Sequence, residues 1–248
     1  MKRIWFFIQE KYRLSGVCIV VLWVLLPVGL SGQKHLEFVQ HDYRETFGSK
    51  YDDAIRFIFN EKWIADSLAK NDIDPKFAMA IVFPELIRFS FLQNYIELQG
   101  LFTLYVQYGA SYANFSVGRF QMKPTFAEQV EKDSDRYLKV RIYRSNSTTD
   151  KSVLRLQRVK RLQSMHWQVQ YLISFIRIMD VKFQCSKWKS SEEKLKFYAT
   201  AYNCGYVQSE KYLHSKIEKV SFYVSVFNST TRYNYADIAA SYFNSLGL

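Results

Sequence analysis

Glycine and proline are scarce, nine and four in 248 residues, which excludes collagen-like and low-complexity chains. Only 23% of the residues are charged against 48% hydrophobic, which excludes a largely disordered chain. The four histidines, His35, His41, His166 and His214, show no metal-ligand spacing such as His-Glu-x-x-His, so neither a metal nor a cofactor is expected. A Gly-x-Ser-x-Gly elbow and a phosphate loop are also missing. No internal period suggests a solenoid. The apolar run Val17–Leu26, closed by Pro27 and Gly29, is well short of the roughly 20 residues that a spanning helix needs.

What is present is aromatic and basic. Aromatic residues make up 17% of the chain, with 20 Phe and 18 Tyr. Such a fraction suits a thick aromatic core or a groove that stacks on flat ligands such as sugar rings. Lys2, Arg3, Lys11 and Arg13 precede the Val17–Leu26 run, and Gly29, Ser31 and Gly32 follow it. Residues 1–32 therefore read as an export signal removed near Gly32, with an uncleaved anchor as the alternative. That segment holds four basic groups and one acid, Glu10, a net of +3, so its removal leaves +8 of the chain's +11. A basic exported protein suits an anionic partner, either wall polymer or phospholipid head groups, and export disfavours nucleic acid. Cys18 leaves with the signal; Cys185 and Cys204 remain in a compartment that permits a disulfide without requiring one.

The patterning is mainly α. Residues 33–50 show no clear periodicity and read as an extended lead-in before a domain over 51–248. Ile55, Ile58, Phe59, Trp63, Ile64 and Leu68 form a helical stripe over 51–70. Asp74 and Pro75 have the signature of a helix start ahead of the apolar segment Phe77–Phe91. A second apolar stretch, Ile96–Tyr108, ends at Gly109, a loop covers Ser111–Gly118, and a short helix starts near Pro124. One long basic helix is expected from about Asp150 to Lys182. Another over Glu192–Asn203 opens with a capping-box-like Ser190, Ser191 and Glu193, and Gly205 stops it. Strand-like alternation is confined to Val220–Phe227, and a last helix is expected over Tyr235–Leu246.

Buried carboxylates are rare unless paired or functional. Glu85 sits in Ala80-Ile81-Val82-Phe83-Pro84-Glu85-Leu86-Ile87, where apolar surroundings raise a carboxyl pKa toward that of a general acid working near neutrality. The plainer reading is a helical pair with Arg88, three residues on. Two further blocks follow in order: Gly118-Arg119-Phe120-Gln121-Met122-Lys123-Pro124-Thr125-Phe126-Ala127 and Ala201-Tyr202-Asn203-Cys204-Gly205. This order resembles the single-glutamate lytic transglycosylases of the lysozyme-like superfamily. Their pattern is a Glu ending a hydrophobic helix, a Gly-Leu-Met-Gln-x-x-Pro-x-Thr-Ala type loop, then Ala-Tyr-Asn-x-Gly. A fainter echo of their terminal segment lies at Thr231–Ala236, so the blocks span roughly residues 75–240. Two departures stand out. Leu86 occupies the place of a usual Ser, and Arg119-Phe120 replaces a small apolar pair.

The resemblance implies a lysozyme-like transglycosylase domain in the periplasm or cell envelope, acting on peptidoglycan glycan strands, with the helix at 150–182 as an elaboration. Glu85 would be the catalytic acid and base. Gly118, Gln121, Met122, Tyr202 and Asn203 would bind substrate: Gln121 and Asn203 hydrogen-bonding acetamido groups and the Glu, Tyr202 orienting Glu85, and Gly118 letting backbone approach the sugar. A hydrolytic muramidase on the same fold and a non-catalytic glycan-binding envelope protein are the rivals. A thiol pair of Cys204 and His214 is disfavoured, because Cys204 fills the variable position of its block. Lys151, Arg155 and Arg158 share a helix face, with Lys160 and Arg161 nearby, which reads as a solvated face or a contact to an anionic membrane or wall. The glycosylation sequons at Asn114, Asn146 and Asn228 are coincidental under this reading.

Overall fold

The computed structural model describes residues 42–142, 150–224 and 231–245. The signal-like segment 1–32 and the sequons at Asn146 and Asn228 lie outside the described residues. Among the described residues no helix is long and apolar enough to cross a membrane.

The architecture is mainly helical. Helix α1 (Tyr43–Phe47), α2 (Ser49–Asn60) and α3 (Lys62–Ala69) lead to α4 (Pro75–Arg88). Next come α5 (Phe91–Gly100), a π-helical turn over Leu101–Tyr105, and α6 (Val106–Tyr108). Helix α7 (Pro124–Asp133) runs into a second π-helical turn at Ser134–Leu138. Then follow α8 (Lys151–Gln163), α9 (Met165–Lys182), α10 (Ser191–Cys204), α11 (Glu210–His214) and α12 (Tyr235–Ser245). A two-stranded antiparallel ribbon pairs β1 (Val220–Phe222) with β2 (Tyr233–Asn234).

Helix α4 is the centre. Its Ala78–Ile87 stretch is buried on every side, as expected for a helix that is hydrophobic all round. Asp74 caps it by accepting from the Lys76 N–H, and Pro75 occupies its first turn. Helices α2, α3, α10 and α12 pack around it. Phe83 stacks on Tyr242 of α12 at 4.0 Å and meets Tyr51 of α2 edge-on at 4.9 Å. The Tyr235 hydroxyl donates to the Ile81 carbonyl at 3.0 Å, close to the break that Pro84 makes in the helical ladder.

Three expectations are corrected. The supposed lead-in at 33–50 is helical where it is described. Asp42 caps α1 through the Arg44 and Glu45 amides, Tyr43 is buried, and Phe47 meets Tyr233 at 4.8 Å. Its short helices draw their stability from these tertiary contacts rather than from length. The stripe over 51–70 is split at Glu61, and the single basic helix at 150–182 is split at Ser164, an extended residue at φ −85°, ψ 123°. Both breaks let a continuous apolar pattern change direction around α4 and α9.

The basic helix is also turned inward. Arg155 donates to the Val106 and Gln107 carbonyls at 2.8 and 2.7 Å. Arg158 bridges Glu128 and Glu131, and Arg161 joins Glu131 and Tyr171. The face expected to offer Lys151, Arg155 and Arg158 to a membrane or wall therefore leaves Lys151 exposed, while both arginines hold the protein together. Cys185 and Cys204 are free thiols, so the permitted disulfide is not formed.

Candidate active site

Glu85 lies in the last turn of α4, only 5% exposed. Burial lifts its pKa from 4.5 to about 7; Arg88 and Lys123 pull the other way, and Glu97 adds to the rise. The negative end of the α4 dipole acts in the same direction as burial. The Arg88 Nε approaches Glu85 Oε2 at 3.7 Å, a charge contact without a hydrogen bond, and both atoms are buried without a hydrogen-bond partner. The Arg88 guanidinium is meanwhile stacked over Phe222 and Tyr223 at 5.8 and 5.3 Å. The helical Glu–Arg pair is thus real, yet it leaves the carboxyl under-satisfied at the edge of a cleft.

That cleft encloses about 670 Å³. Glu85, Gln121, Met122, Tyr202 and Asn203 all line it, along with Arg88, Glu97, Asn114, Lys123 and Gln129. Segments 116 residues apart in sequence, from Glu85 to Ala201, converge because α10 packs directly against α4. Gly118 does not line the cleft; it shapes the loop that does. Its φ is +75°, and its amide donates to Asn94 Oδ1 at 2.7 Å. A Cβ at Gly118 would sit 1.8 Å from Gln168 Nε2. Gln168 is itself buried in α9, accepting from the Phe120 N–H at 2.8 Å and donating to the Leu162 carbonyl at 2.8 Å. Val117 and Met122 bridge in antiparallel fashion, so residues 118–121 form a tight turn with Gln121 at φ +48°.

The side chains differ in part from their expected roles. The Tyr202 hydroxyl donates to the Phe120 carbonyl at 2.7 Å, so it positions the loop rather than Glu85. Burial raises its pKa well above the usual tyrosine value, with the nearby Glu85 charge adding, and the phenol stays protonated. The Gln121 amide nitrogen donates to the Gly118 carbonyl at 2.8 Å, which leaves its oxygen and its second N–H for a ligand. Asn203 is exposed on the same cleft. Asn114, of the first sequon, lines the cleft half-buried and donates to the Thr125 hydroxyl at 2.9 Å. Leu86 is buried against a different, neighbouring cleft.

Three contributors escaped the sequence reading. Glu97 on α5 receives a 2.8 Å hydrogen bond from Gln93, while its Oε2 is buried without a partner. In sequence, Gln93 and Glu97 read as an ordinary exposed helix pair. Gln168 did carry a signal: it interrupts the apolar stripe formed with Leu172 and Phe175 at helical spacing. Lys123, before Pro124, carried none. No group of three or more potential metal ligands occurs among the described residues.

The arrangement can donate and retake one proton. A buried carboxyl with a pKa of about 7 is half protonated near neutrality, and Arg88 stabilises the carboxylate left after donation. In the comparisons with known proteins, the chain matches no family model, no curated protein and no solved structure.

Proposed function

We propose that this chain is an exported peptidoglycan lytic transglycosylase built on a lysozyme-like helical domain. The observation that carries the reading is Glu85, buried at the end of a hydrophobic helix with its pKa lifted to about 7 and lining a cleft with Gln121, Tyr202 and Asn203. These residues come from the three sequence blocks that resemble lytic transglycosylases.

Protonated Glu85 donates to the oxygen linking C1 of N-acetylmuramic acid to N-acetylglucosamine, and the C1–O bond breaks. The Glu85 carboxylate then takes the proton of the muramoyl C6 hydroxyl as that oxygen bonds to C1. A 1,6-anhydro end forms, Glu85 regains its proton and no water is consumed. One carboxyl serves both steps. The Gln121 oxygen and the Asn203 amide take acetamido groups in this reading, which their lining of the cleft supports. The substrate lies outside the cytoplasmic membrane, so the reading requires the export expected of residues 1–32.

Glu97 favours a second reading, hydrolysis. A hydrolase of the usual design uses two carboxyls, one of them activating water or attacking the sugar, and Glu97 shares the cleft. Product analysis decides. Mass spectrometry of digested wall is expected to show anhydro ends; reducing ends would assign a muramidase, and no new ends a binding protein. Glu85→Gln, nearly isosteric and lacking the acid proton, is expected to abolish cleavage with an unchanged circular dichroism spectrum and melting profile. Undiminished cleavage by that variant would sink the mechanism.

A further inference from the structure

A second cleft of about 590 Å³ adjoins the first, and Arg88 lines both. Its most distinctive feature is Arg119, which with Phe120 replaces a small apolar pair of the transglycosylase pattern. The Arg119 guanidinium lies 5.0, 4.3 and 4.8 Å from the ring centroids of Phe57, Phe89 and Phe91. Among the described residues it makes neither a hydrogen bond nor an ion pair, and it is only partly exposed. The three rings pack around a guanidinium whose N–H groups have no hydrogen-bond partner among the described residues, and a guanidinium with free N–H groups can grip a carboxylate in bidentate fashion.

The neighbouring acids are already engaged. Glu61 accepts the Trp63 indole N–H at 2.6 Å, and Asp53 pairs with Arg56. Lys50, Arg56, Arg88 and Arg119 against Asp53 and Glu61 leave the lining at +2. The loop that carries Arg119 is immobilised on both sides, by Asn94 at Gly118 and by Gln168 at Phe120. That is an aromatic-walled, cationic and pre-organised subsite lying beside the Glu85 cleft.

We infer that the Arg119 cleft binds a carboxylate of the peptide branches carried by the glycan strand whose sugars occupy the Glu85 cleft. The inference rests on the peptidoglycan reading. A muramoyl residue bears its peptide on the lactyl group, so a strand seated at Glu85 presents anionic branches to its surroundings. Arg119 therefore makes this site favour peptide-bearing over stripped strands.

The test uses the full chain, purified wall polymer, and the same polymer stripped of its peptides by amidase, with the lactyl carboxylates that this frees capped as methyl amides. Arg119→Gln is expected to lower kcat/KM on peptide-bearing polymer about tenfold, the effect of one lost hydrogen-bonded charge partner, and to leave the stripped polymer unchanged. Arg119→Lys, which keeps the charge but not the fork, is expected to recover only part of the loss. Independently of any variant, the wild-type protein should bind the amidase-released peptides in calorimetry and lose them on methyl esterification of their carboxylates. Equal loss on both polymers, or esterified peptide bound as well as free peptide, would overturn the subsite. Failure to cleave either polymer would instead overturn the transglycosylase reading, and failure to bind either polymer the peptidoglycan reading.

Discussion

At the scale of single residues the site is a balance of charges around one buried carboxyl. Arg88 and Lys123 favour ionised Glu85, while burial and Glu97 oppose it, and opposition prevails. A general acid must start protonated, so activity should fall as pH rises through about 7 and Glu85 should set the alkaline limb. The other groups on this carboxyl, the Tyr202 and Tyr235 hydroxyls, are held protonated by burial. Removing the negative charge of Glu97 lowers the Glu85 pKa, so Glu97→Gln is expected to move the alkaline limb of kcat/KM to lower pH. An unmoved limb in a folded Glu97→Gln protein would show that the two carboxyls do not communicate. If that variant instead abolished turnover while keeping the fold, the two-carboxyl hydrolase would be favoured. Leu86 bears on the same point: the pattern's usual Ser would suggest a hydroxyl beside Glu85, but Leu86 is buried against the Arg119 cleft.

At the scale of elements, the turn between Val117 and Met122 decides whether the site exists. Three polar anchors hold it, from α5 (Asn94), α9 (Gln168) and α10 (Tyr202). Gly118 tolerates φ +75° without strain and leaves the space that the Gln168 amide fills. Gly118→Ala would strain the backbone and push Gln168 off the Phe120 amide and the Leu162 carbonyl. A loss of about 2–4 kcal/mol is expected from strain plus two broken buried hydrogen bonds. Urea unfolding measures it, and a change below about 0.5 kcal/mol, the range of ordinary surface substitutions, would mean that the turn does not need glycine.

At the scale of the whole molecule, α8 is locked to α7 through charge rather than through apolar packing alone. Glu131 receives Arg158 and Arg161 at 2.8 Å each and the Tyr171 hydroxyl at 2.6 Å, all four groups largely buried. Burial alone would raise the Glu131 pKa, but hydrogen bonds and charge from Arg158, with Tyr171 and Arg161, hold it below the ordinary value. Its stabilising contribution is therefore present above the unfolded-state carboxyl pKa and is lost as pH falls through the lower, folded-state value. Glu131→Ala leaves two buried guanidinium groups without their shared carboxylate, which is expected to cost about 3–5 kcal/mol. The loss should persist in high salt, since buried pairs are weakly screened. Thermal melting at low and high salt checks both statements, and a salt-sensitive or negligible loss would place these charges at the surface.

Some of this was determined by local sequence alone. Helix α4 follows from Asp74, Pro75 and an uninterrupted apolar run, the end of α10 from Gly205, and the burial of Glu85 from a carboxyl with no polar neighbour before Arg88. These features depend on residues within a turn or two of each other, where capping and desolvation act. The convergence of Gln121, Tyr202 and Asn203 on Glu85 was expected from three ordered blocks, but only the packing of α4 against α10 places them together. Which partners the arginines take was not legible, because a basic helix face looks the same whether water or Glu131 lies opposite. The breaks at Glu61 and Ser164 were equally hidden: the apolar period runs through both, and the chain turns there because its two halves pack against different neighbours. Tyr202 turns to the Phe120 carbonyl, and Glu97 enters the cleft from α5, for the same reason. A side chain's partner is set by what the fold brings within about 3 Å of its polar atoms, and that is a property of tertiary packing, not of spacing along the chain.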